Sequence, residues 1–334
     1  MDPRKLATRP TMLQNYKGHN IININLAGLK IGHATDEAFH TGCTVFLCPP
    51  ETVASVDVRG PAPGSRESAL LQLDKPIQFI HGVMLTGGSA FGLATADGAM
   101  QYLAENNIGH PTPIRPIPLV PTAVVYDLFM NDGKRLPDAQ MGYQACQNAA
   151  SEQVSQGNVG AGAGVTVGKW NGFQTMMKGG FGLSSIKMGD LVVGAGAVVN
   201  AVGDVVNEDG TVLAGARHEQ GHWIVEENPY RQFPSLPQTA VVSNTTLAVV
   251  FTNAKLSKVE TNRLAQRAHD GFAIAIRPVH TTHDGDTAFA LATSQIEASF
   301  DWVANLAVHT VAEAIRNGVR NAKTVGIAPG LASE

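Results

Sequence analysis

Residues Ser243-Asn244-Thr245-Thr246 stand directly before an apolar run, and their types could support nucleophilic chemistry. A threonine hydroxyl is a weak nucleophile until a base removes its proton. If the hydroxyl of Thr245 attacked the carbonyl of Asn244, hydrolysis of the resulting ester would free the α-amine of Thr245. Such an amine titrates near ~7.7–8.0, so it could serve the adjacent hydroxyl as a base near neutral pH. Cleavage would thus create the base that the nucleophile needs.

The same residues have two plainer interpretations. Threonine is β-branched and common in strands, and asparagine at a strand entrance commonly forms a turn. Asn244 and Thr246 also match the Asn-x-Thr acceptor of N-glycosylation, which requires a secreted protein. These residues alone leave the three interpretations open.

Two histidine motifs suggest a metal site, and each has a counter-argument. The run H-E-Q-G-H at residues 218–222 matches the H-E-x-x-H zinc motif, which requires a helix. Gly215 and Gly221 oppose a helix there, because each glycine costs about 1 kcal/mol relative to alanine. The run H-T-T-H-D-G-D at residues 280–286 contains metal-ligating types, but Asp-Gly-Asp is also an ordinary turn sequence. No metal is predicted.

Two glycine-rich runs resemble nucleotide loops without matching them. The phosphate-loop pattern requires Gly at position 163 and Ser or Thr at 170, where the chain has Ala163 and Trp170. The pair Gly194 and Gly196 lacks a small third residue, since position 199 is Val199. We expect these glycines to permit close backbone contacts, and no cofactor is predicted.

Composition narrows the class of protein. Of 334 residues, 44% are hydrophobic and 16% charged, enough for a large core, and the net charge of −4 with no Lys/Arg run argues against nucleic acid. Cys43, Cys48 and Cys146 include no C-x-x-C pair, so neither a disulfide framework nor a zinc knuckle is indicated. The first residues contain no apolar signal core, and residues 191–206 are too polar to span a membrane. We expect a soluble, reduced, cytoplasmic protein.

The elements that must position these residues alternate irregularly along the chain. Helical spacing predicts helices over residues 89–105, 137–151, 257–274 and 300–317, with Ser257 and Glu260 forming a capping box. β-rich runs punctuated by Gly, Pro and Asn predict strands at 44–47, 80–85, 123–126, 164–167, 191–201, 246–252 and 288–293. Because strict βαβ alternation is missing, we expect layered α and β rather than a doubly wound sheet. The Pro-rich stretch 228–237 is a plausible boundary.

The order of short motifs along the chain resembles the DmpA-type aminopeptidase family. The resemblance covers about residues 25–295 and is carried by eight blocks: residues 28–33 (GLKIGH), 41–45 (TGCTV), 57–67 (DVRGPAPGSRE), 85–93 (LTGGSAFGL), 160–164 (GAGAG), 198–203 (VVNAVG), 244–246 (NTT) and 284–287 (DGDT). It implies a single large domain with an αββα sandwich. It also implies self-cleavage before Thr245 into residues 1–244 and 245–334, which stay together, with homo-oligomers (a tetramer of cleaved pairs).

The resemblance also implies roles for the site residues. Thr245 would be the nucleophile and Asn200 the oxyanion-hole donor, a kind of group whose loss typically costs about 2.7–4 kcal/mol. Tyr126 would donate to the oxyanion or position the nucleophile. Alone, Asn200 fits a turn and Tyr126 the edge of a core.

Three charged residues complete the implied site. Lys169 matches a lysine of the nylon-oligomer branch, where a cation would lower the pKa of the Thr245 amine; alone it would be a solvated lysine. Asp284 and Asp286 match carboxylates that hydrogen-bond and orient the nucleophile, with the division of labour between them open.

These features predict an autoproteolytic N-terminal-threonine amide hydrolase. The preferred function is an aminopeptidase acting on short peptides, amides or esters. One alternative is hydrolysis of 6-aminohexanoate oligomers, because the Asn-Thr-Thr at 244–246 is similar to that branch of the family. Another is acyl transfer of the ornithine acetyltransferase type, and a third is a binding protein that never cuts.

Overall fold

The computed structural model describes residues 21–24, 26, 28–227 and 244–333. The predicted boundary at 228–237 lies outside these residues. Strands in this part of the chain are, in order, β1 (Ile21–Ile22), β2 (Lys30–Asp36), β3 (Thr41–Leu47), β4 (Val53–Val58), β5 (Ser65–Arg66), β6 (Gly82–Thr86), β7 (Thr122–Val124), β8 (Val154–Ser155), β9 (Thr166–Val167), β10 (Met177–Lys178), β11 (Phe181–Met188), β12 (Leu191–Asn200), β13 (Asp204–Val206), β14 (Val212–Ala214), β15 (Thr245–Ala254), β16 (Ile276–Arg277) and β17 (Thr287–Ile296).

Helices and short 3₁₀ turns also occur along the described part of the chain. The α-helices are α1 (Thr95–Glu105), α2 (Ala139–Gln147), α3 (Ile224–Glu227), α4 (Lys258–Ala275) and α5 (Phe300–Arg320). Short 3₁₀ turns occupy Ser68–Leu71, Ser89–Ala94, Leu128–Met130, Gly160–Gly162 and Phe173–Thr175.

Two five-stranded sheets form the centre of the domain. One has the order β2-β3-β6-β7-β5, and the other has the order β11-β12-β15-β17-β4. In the second sheet, β12 and β15 are antiparallel, whereas β15 and β17 run parallel. The connection between two parallel neighbours requires a crossover, and α4 lies in that crossover.

Alternation along β12 shows how the layers stack. Val193 and Val199 on one face join the apolar cluster that includes α4 and α5, whereas Val192 and Val198 on the other face join a cluster shared with the first sheet. The outer face of the first sheet packs in turn against α1 and α2. The four layers are therefore α, β, β and α, which confirms the predicted sandwich.

Glycines of β12 make room for aromatic rings in the space between the two sheets. A Cβ at Gly194 would lie 2.4 Å from the ring of Phe251, and one at Gly196 would lie 2.6 Å from the ring of Phe46. Real Cβ atoms do not approach that closely, so only glycine fits. The closest neighbours of these two glycines are therefore side-chain rings, whereas the sequence predicted close backbone contacts.

The other glycine-rich run is also a packing element. Its 3₁₀ turn is buried, with Gly160 N donating to Thr35 Oγ1 at 2.7 Å and Ala161 N donating to Thr44 Oγ1 at 3.1 Å. These two backbone amides are thus bonded to threonines of β2 and β3 rather than pointing at open space.

The zinc-like motif lies on a turn, not a helix. Gly221 N donates to the carbonyl of His218 at 2.9 Å, and His218 N donates to the carbonyl of His222 at 3.0 Å. Gly221 adopts a φ of +95°, which glycine tolerates and other residues rarely do. The geometry that H-E-x-x-H requires is therefore not formed.

The four predicted helices are present, and two of them begin later in the chain than predicted. The run predicted from residue 89 begins with the 3₁₀ turn Ser89–Ala94 before α1, where Ser89 has a φ of +52°. The helix predicted from residue 137 begins only at Ala139, because Asp138 accepts the N–H of Met141 and caps it. Among the described residues, no helix combines the length and apolarity needed to cross a bilayer.

The capping box of α4 gives a stability prediction. Ser257 N donates to Glu260 Oε2 at 2.8 Å and Glu260 N donates to Ser257 Oγ at 3.3 Å. Ser257→Ala should lower the free energy of unfolding by about 1 kcal/mol, because a helix-terminal N–H loses its acceptor. Urea denaturation measures the loss. Ser299→Ala is the matched control, since Ser299 precedes α5 without a side-chain capping bond; equal losses in the two variants would contradict the prediction.

Candidate active site

The register of β12 and β15 brings two of the predicted residues face to face. Thr245 is the first residue of β15, and its partner across the antiparallel ladder is Asn200, the last residue of β12. Both are buried, with exposed fractions of 3% and 1%. Directly opposed residues in such a ladder have Cβ atoms about 4.5–5.5 Å apart, so the asparagine lies within reach of chemistry at the threonine.

The peptide bond before Thr245 is held by its neighbours. The carbonyl oxygen of Asn244 accepts the hydroxyl of Thr245 at 2.5 Å and the backbone N–H of Gly285 at 2.8 Å. Asn244 N donates to the carbonyl of His283 at 2.9 Å. The carbonyl is thus polarised by a backbone donor, with the hydroxyl of the next residue beside it.

Only glycine fits at position 285, because there is no room for a side chain. A Cβ there would lie 2.5 Å from the carbonyl oxygen of Ala62 and 2.8 Å from Thr245 Oγ1. The neighbouring loop is tied to the same turn, since Ala62 N donates to the carbonyl of Asp284 at 3.1 Å and Gly60 N to that of Asp286 at 3.2 Å. The two sequence blocks at 57–67 and 284–287 therefore meet beside the bond between Asn244 and Thr245.

The side chain of Asn200 is fixed at both ends of its amide. Its Oδ1 accepts Lys169 Nζ at 2.8 Å and Thr166 N at 3.1 Å, and its Nδ2 donates to the carbonyl of Tyr126 at 3.1 Å. These contacts define which atom is the nitrogen, because a lysine and a backbone N–H can only donate. An amide nitrogen has a second hydrogen, so one donor of Asn200 is left for another acceptor.

Lys169 is not the solvated lysine that its sequence alone suggests. It is 5% exposed, and burial lowers its pKa to about 7 against the influence of Asp284. A second buried lysine, Lys178, adds to the lowering by like-charge repulsion. A buried amine with a pKa near neutrality can gain or lose a proton at working pH.

Asp284 is shifted in the opposite sense. Burial raises its pKa to about 6, and the like charge of Asp286 adds to the rise, while Thr281 and Lys169 oppose it. Its Oδ2 accepts the N–H of Thr281 at 2.8 Å and the hydroxyl of Thr281 at 2.6 Å. Its Oδ1 is buried and has no hydrogen-bond partner among the described residues, and the main chain of Asp284 pairs with that of Asn244.

Asp286 has both carboxylate oxygens occupied. Its Oδ1 accepts the N–H of Thr246 at 2.7 Å, and its Oδ2 accepts Nδ1 of His280 at 2.8 Å and the N–H of His280 at 3.2 Å. The carboxylate therefore fixes the backbone one residue after Thr245.

The structure brings the predicted residues together around Thr245. Asn200 lies across the ladder, Lys169 and Tyr126 contact Asn200, and Asp284 and Asp286 flank the strand entrance. Tyr126 contributes through its main-chain carbonyl.

Sequence reasoning missed three residues of this site: Gly285, Thr281 and His280. They lie in the run at 280–286, of which the sequence assigns site roles to Asp284 and Asp286 alone. The described part of the chain contains no group of three His, Cys, Asp or Glu side chains arranged around a metal position. In place of a metal, the histidine and threonine of this run hold the two carboxylates.

Solved structures share this αββα sandwich, and one of them is described as a variant of the N-terminal-nucleophile hydrolase fold. The solved L-aminopeptidase D-Ala-esterase/amidase of Ochrobactrum anthropi, described as a variant of that fold, superposes with a TM-score of 0.70 at 18% identity, over 93% of this chain and 91% of the other. A β-aminopeptidase of a Burkholderia species superposes with a TM-score of 0.68 at 20% identity, over 93% and 90%.

The chain belongs to peptidase family S58, whose model matches residues 21–331. An uncharacterized aminopeptidase of Mycobacterium leprae is 39% identical over 82% of this chain and 79% of its own length. A 6-aminohexanoate-oligomer endohydrolase of Paenarthrobacter ureafaciens is 32% identical over 84% and 77%. The resemblance to the DmpA-type family is thereby confirmed, and the chain is a hydrolase of amide bonds.

Burial of Lys169 predicts a pH dependence of stability. Its pKa is about 7 in the folded chain against an ordinary 10.5, so between these values the unfolded chain binds a proton that the folded chain does not. Stability from this group is therefore lowest at pH 7 and below and rises toward pH 10.5. Relative to Lys169→Met, the chain with Lys169 should gain stability between about pH 7 and pH 10, by at most about 1.4 kcal/mol per pH unit.

Urea denaturation at several pH values measures this difference. Both proteins should also carry Thr245→Ala, so that every chain has the same covalent structure. Lys134→Met is the matched control, because the Lys134 side chain is 66% exposed and its removal should leave the pH profile unchanged. Parallel profiles for the chains with and without Lys169 would contradict the assignment of a buried, neutral amine.

Proposed function

We propose that the chain cuts itself between Asn244 and Thr245 and then acts as an N-terminal-threonine aminopeptidase on short peptides, amides or esters. The observation that carries the proposal is the Asn244 carbonyl, which accepts both the Thr245 hydroxyl and the Gly285 N–H. A carbonyl oxygen with a fixed backbone donor is stabilised as negative charge develops on it. Self-processing is characteristic of this family.

In the self-cleavage step, Thr245 Oγ attacks the carbonyl carbon of Asn244 and Gly285 N–H stabilises the oxyanion. The bond to the nitrogen of Thr245 breaks, and the proton lost by the hydroxyl ends on that nitrogen. Asp284 is the group we assign to carry it, because its main chain pairs with that of Asn244 and its Oδ1 has no partner among the described residues. Water then hydrolyses the ester, leaving a carboxylate on Asn244 and a free amine and hydroxyl on Thr245.

In the mature enzyme, the α-amine of Thr245 takes the proton from its own hydroxyl as that oxygen attacks the substrate carbonyl. The second hydrogen of Asn200 Nδ2 stabilises the tetrahedral oxyanion. The proton passes to the leaving amine, and water hydrolyses the acyl-enzyme by the same route. Lys169, bonded to Asn200, adds a titratable cation that lowers the pKa of the new amine by like-charge repulsion.

Thr245→Ala tests self-cleavage. The variant should remain one chain of 35.2 kDa with no hydrolase activity, because it has no hydroxyl to attack the carbonyl. Thr245→Ser is the matched control and should still cut, since it keeps the hydroxyl. Intact mass and N-terminal sequencing of the smaller fragment are the measurements. Two fragments from Thr245→Ala, or an active wild-type protein found as one chain, would refute the proposal.

Asn200→Ala tests the oxyanion donor. We expect kcat to fall by about 10²–10³-fold with a much smaller change in KM, because the donor acts mainly in the transition state. Asn253→Ala is the control: it is also a buried asparagine bonded to main-chain groups, at the opposite end of the same strands. A loss confined to KM, or an equal loss in kcat from Asn253→Ala, would count against the role.

A second candidate function is hydrolysis of linear 6-aminohexanoate oligomers. It is favoured by the similarity to the 6-aminohexanoate-oligomer endohydrolase of Paenarthrobacter ureafaciens, because the match covers 77% of the length of that protein. Comparing kcat/KM for an unblocked dipeptide amide and for a 6-aminohexanoate oligomer separates the two functions. Acyl transfer would show itself as acetylglutamate formation from acetylornithine.

A tetramer of cleaved pairs in the cytoplasm remains our expectation from the family resemblance and the composition.

A further inference from the structure

His280 is a half-buried neighbour of the site that the mechanism above does not use. Its Nδ1 and its backbone N–H both bond the same oxygen, Oδ2 of Asp286, at 2.8 Å and 3.2 Å. The backbone of His280 has a φ of +54°. That conformation is uncommon for residues other than glycine and is held by its surroundings.

The ring of His280 is fixed on its far side by two aromatic contacts. The ring of His269 lies edge-on with centroids 4.8 Å apart, and the ring of Phe272 lies at 5.8 Å. His269 is anchored in turn, because its Nε2 lies 3.1 Å from the carbonyl oxygen of Asp57. Burial lowers the pKa of His269 to about 4, so its ring is neutral at neutral pH and adds no positive charge beside Asp286.

The two carboxylates of the site are therefore held by different partners. Asp286 accepts the N–H of Thr246 at one oxygen and both donors of His280 at the other, so each of its oxygens is held in place by a donor. Among the described residues, Asp284 is held through one oxygen by Thr281, and its other oxygen has no partner. The contacts thus favour positioning for Asp286 and proton transfer for Asp284.

We propose that His280 is a positioning residue of this site: its Nδ1–H orients Asp286, which in turn holds the Thr246 N–H and so aligns Thr245 at the strand entrance. The inference rests on the proposed function of Thr245. The donor is the nitrogen at the Nδ1 position, which contacts Asp286, whereas Nε2 of His280 has no partner within the described part of the chain.

Three substitutions of His280 test this geometry. The side-chain nitrogen of Asn can occupy the place of Nδ1, whereas that of Gln reaches the place of Nε2. His280→Ala and His280→Gln should each slow self-cleavage and lower kcat about 10- to 100-fold, the effect expected for loss of a hydrogen bond to a charged group. His280→Asn should stay within a few-fold of wild type, and KM should change little in all three.

His222→Asn is the matched control, because His222 is an exposed histidine on the turn at 218–222, and it should behave as wild type. Self-cleavage is followed by intact mass over time, and kcat and KM on an unblocked dipeptide amide. Equal losses in the Asn and Gln variants, or wild-type rates in the Ala variant, overturn the role of Nδ1. If His280→Ala fails to fold, the Asn and Gln pair still decides. An uncut, active wild type would refute the proposed function instead, before any variant is compared.

Discussion

The structure depends on the pairing of β12 with β15, because that ladder places Asn200 opposite Thr245. Other residues of the site hold this pair in place: Lys169 and Tyr126 fix the asparagine, and Asp286 fixes the main chain that follows the threonine. A slip of β15 by one residue would turn the side chain of Thr245 to the opposite face of the sheet. The close fit of the Phe46 and Phe251 rings against the two glycines of β12 opposes such a slip.

The pKa values of the charged groups at the site are shifted mainly because these groups are buried away from water. Lys169 and Asp284 are both almost fully buried, and burial moves their pKa values toward each other, to about 7 and about 6. In water the two groups would be charged throughout the neutral range. Here a small change of pH changes the charge of either, so the site can transfer protons with groups that elsewhere would be fixed ions.

Sequence alone could predict the layered fold and most of the site, and the misses have physical reasons. The capping box of α4 and the long strands around Thr245 have local signals, and the structure reproduces them. The start of α1 does not, because the positive φ of Ser89 is imposed by its packing rather than by its type. His280 was missed because the rings that contact it, those of His269 and Phe272, come from α4, and no local pattern brings them together.

The position of the Asn244–Thr245 bond within the sheet has a consequence for assembly. Strands β15 and β17 both follow this bond, and they lie between β12 and β4, which precede it. Synthesised by itself, the segment 245–334 would present a parallel two-stranded ribbon with an unpaired edge on either side, and bare edges invite aggregation. A continuous chain delivers these inner strands to their places between β12 and β4, so the proposed cleavage would follow folding.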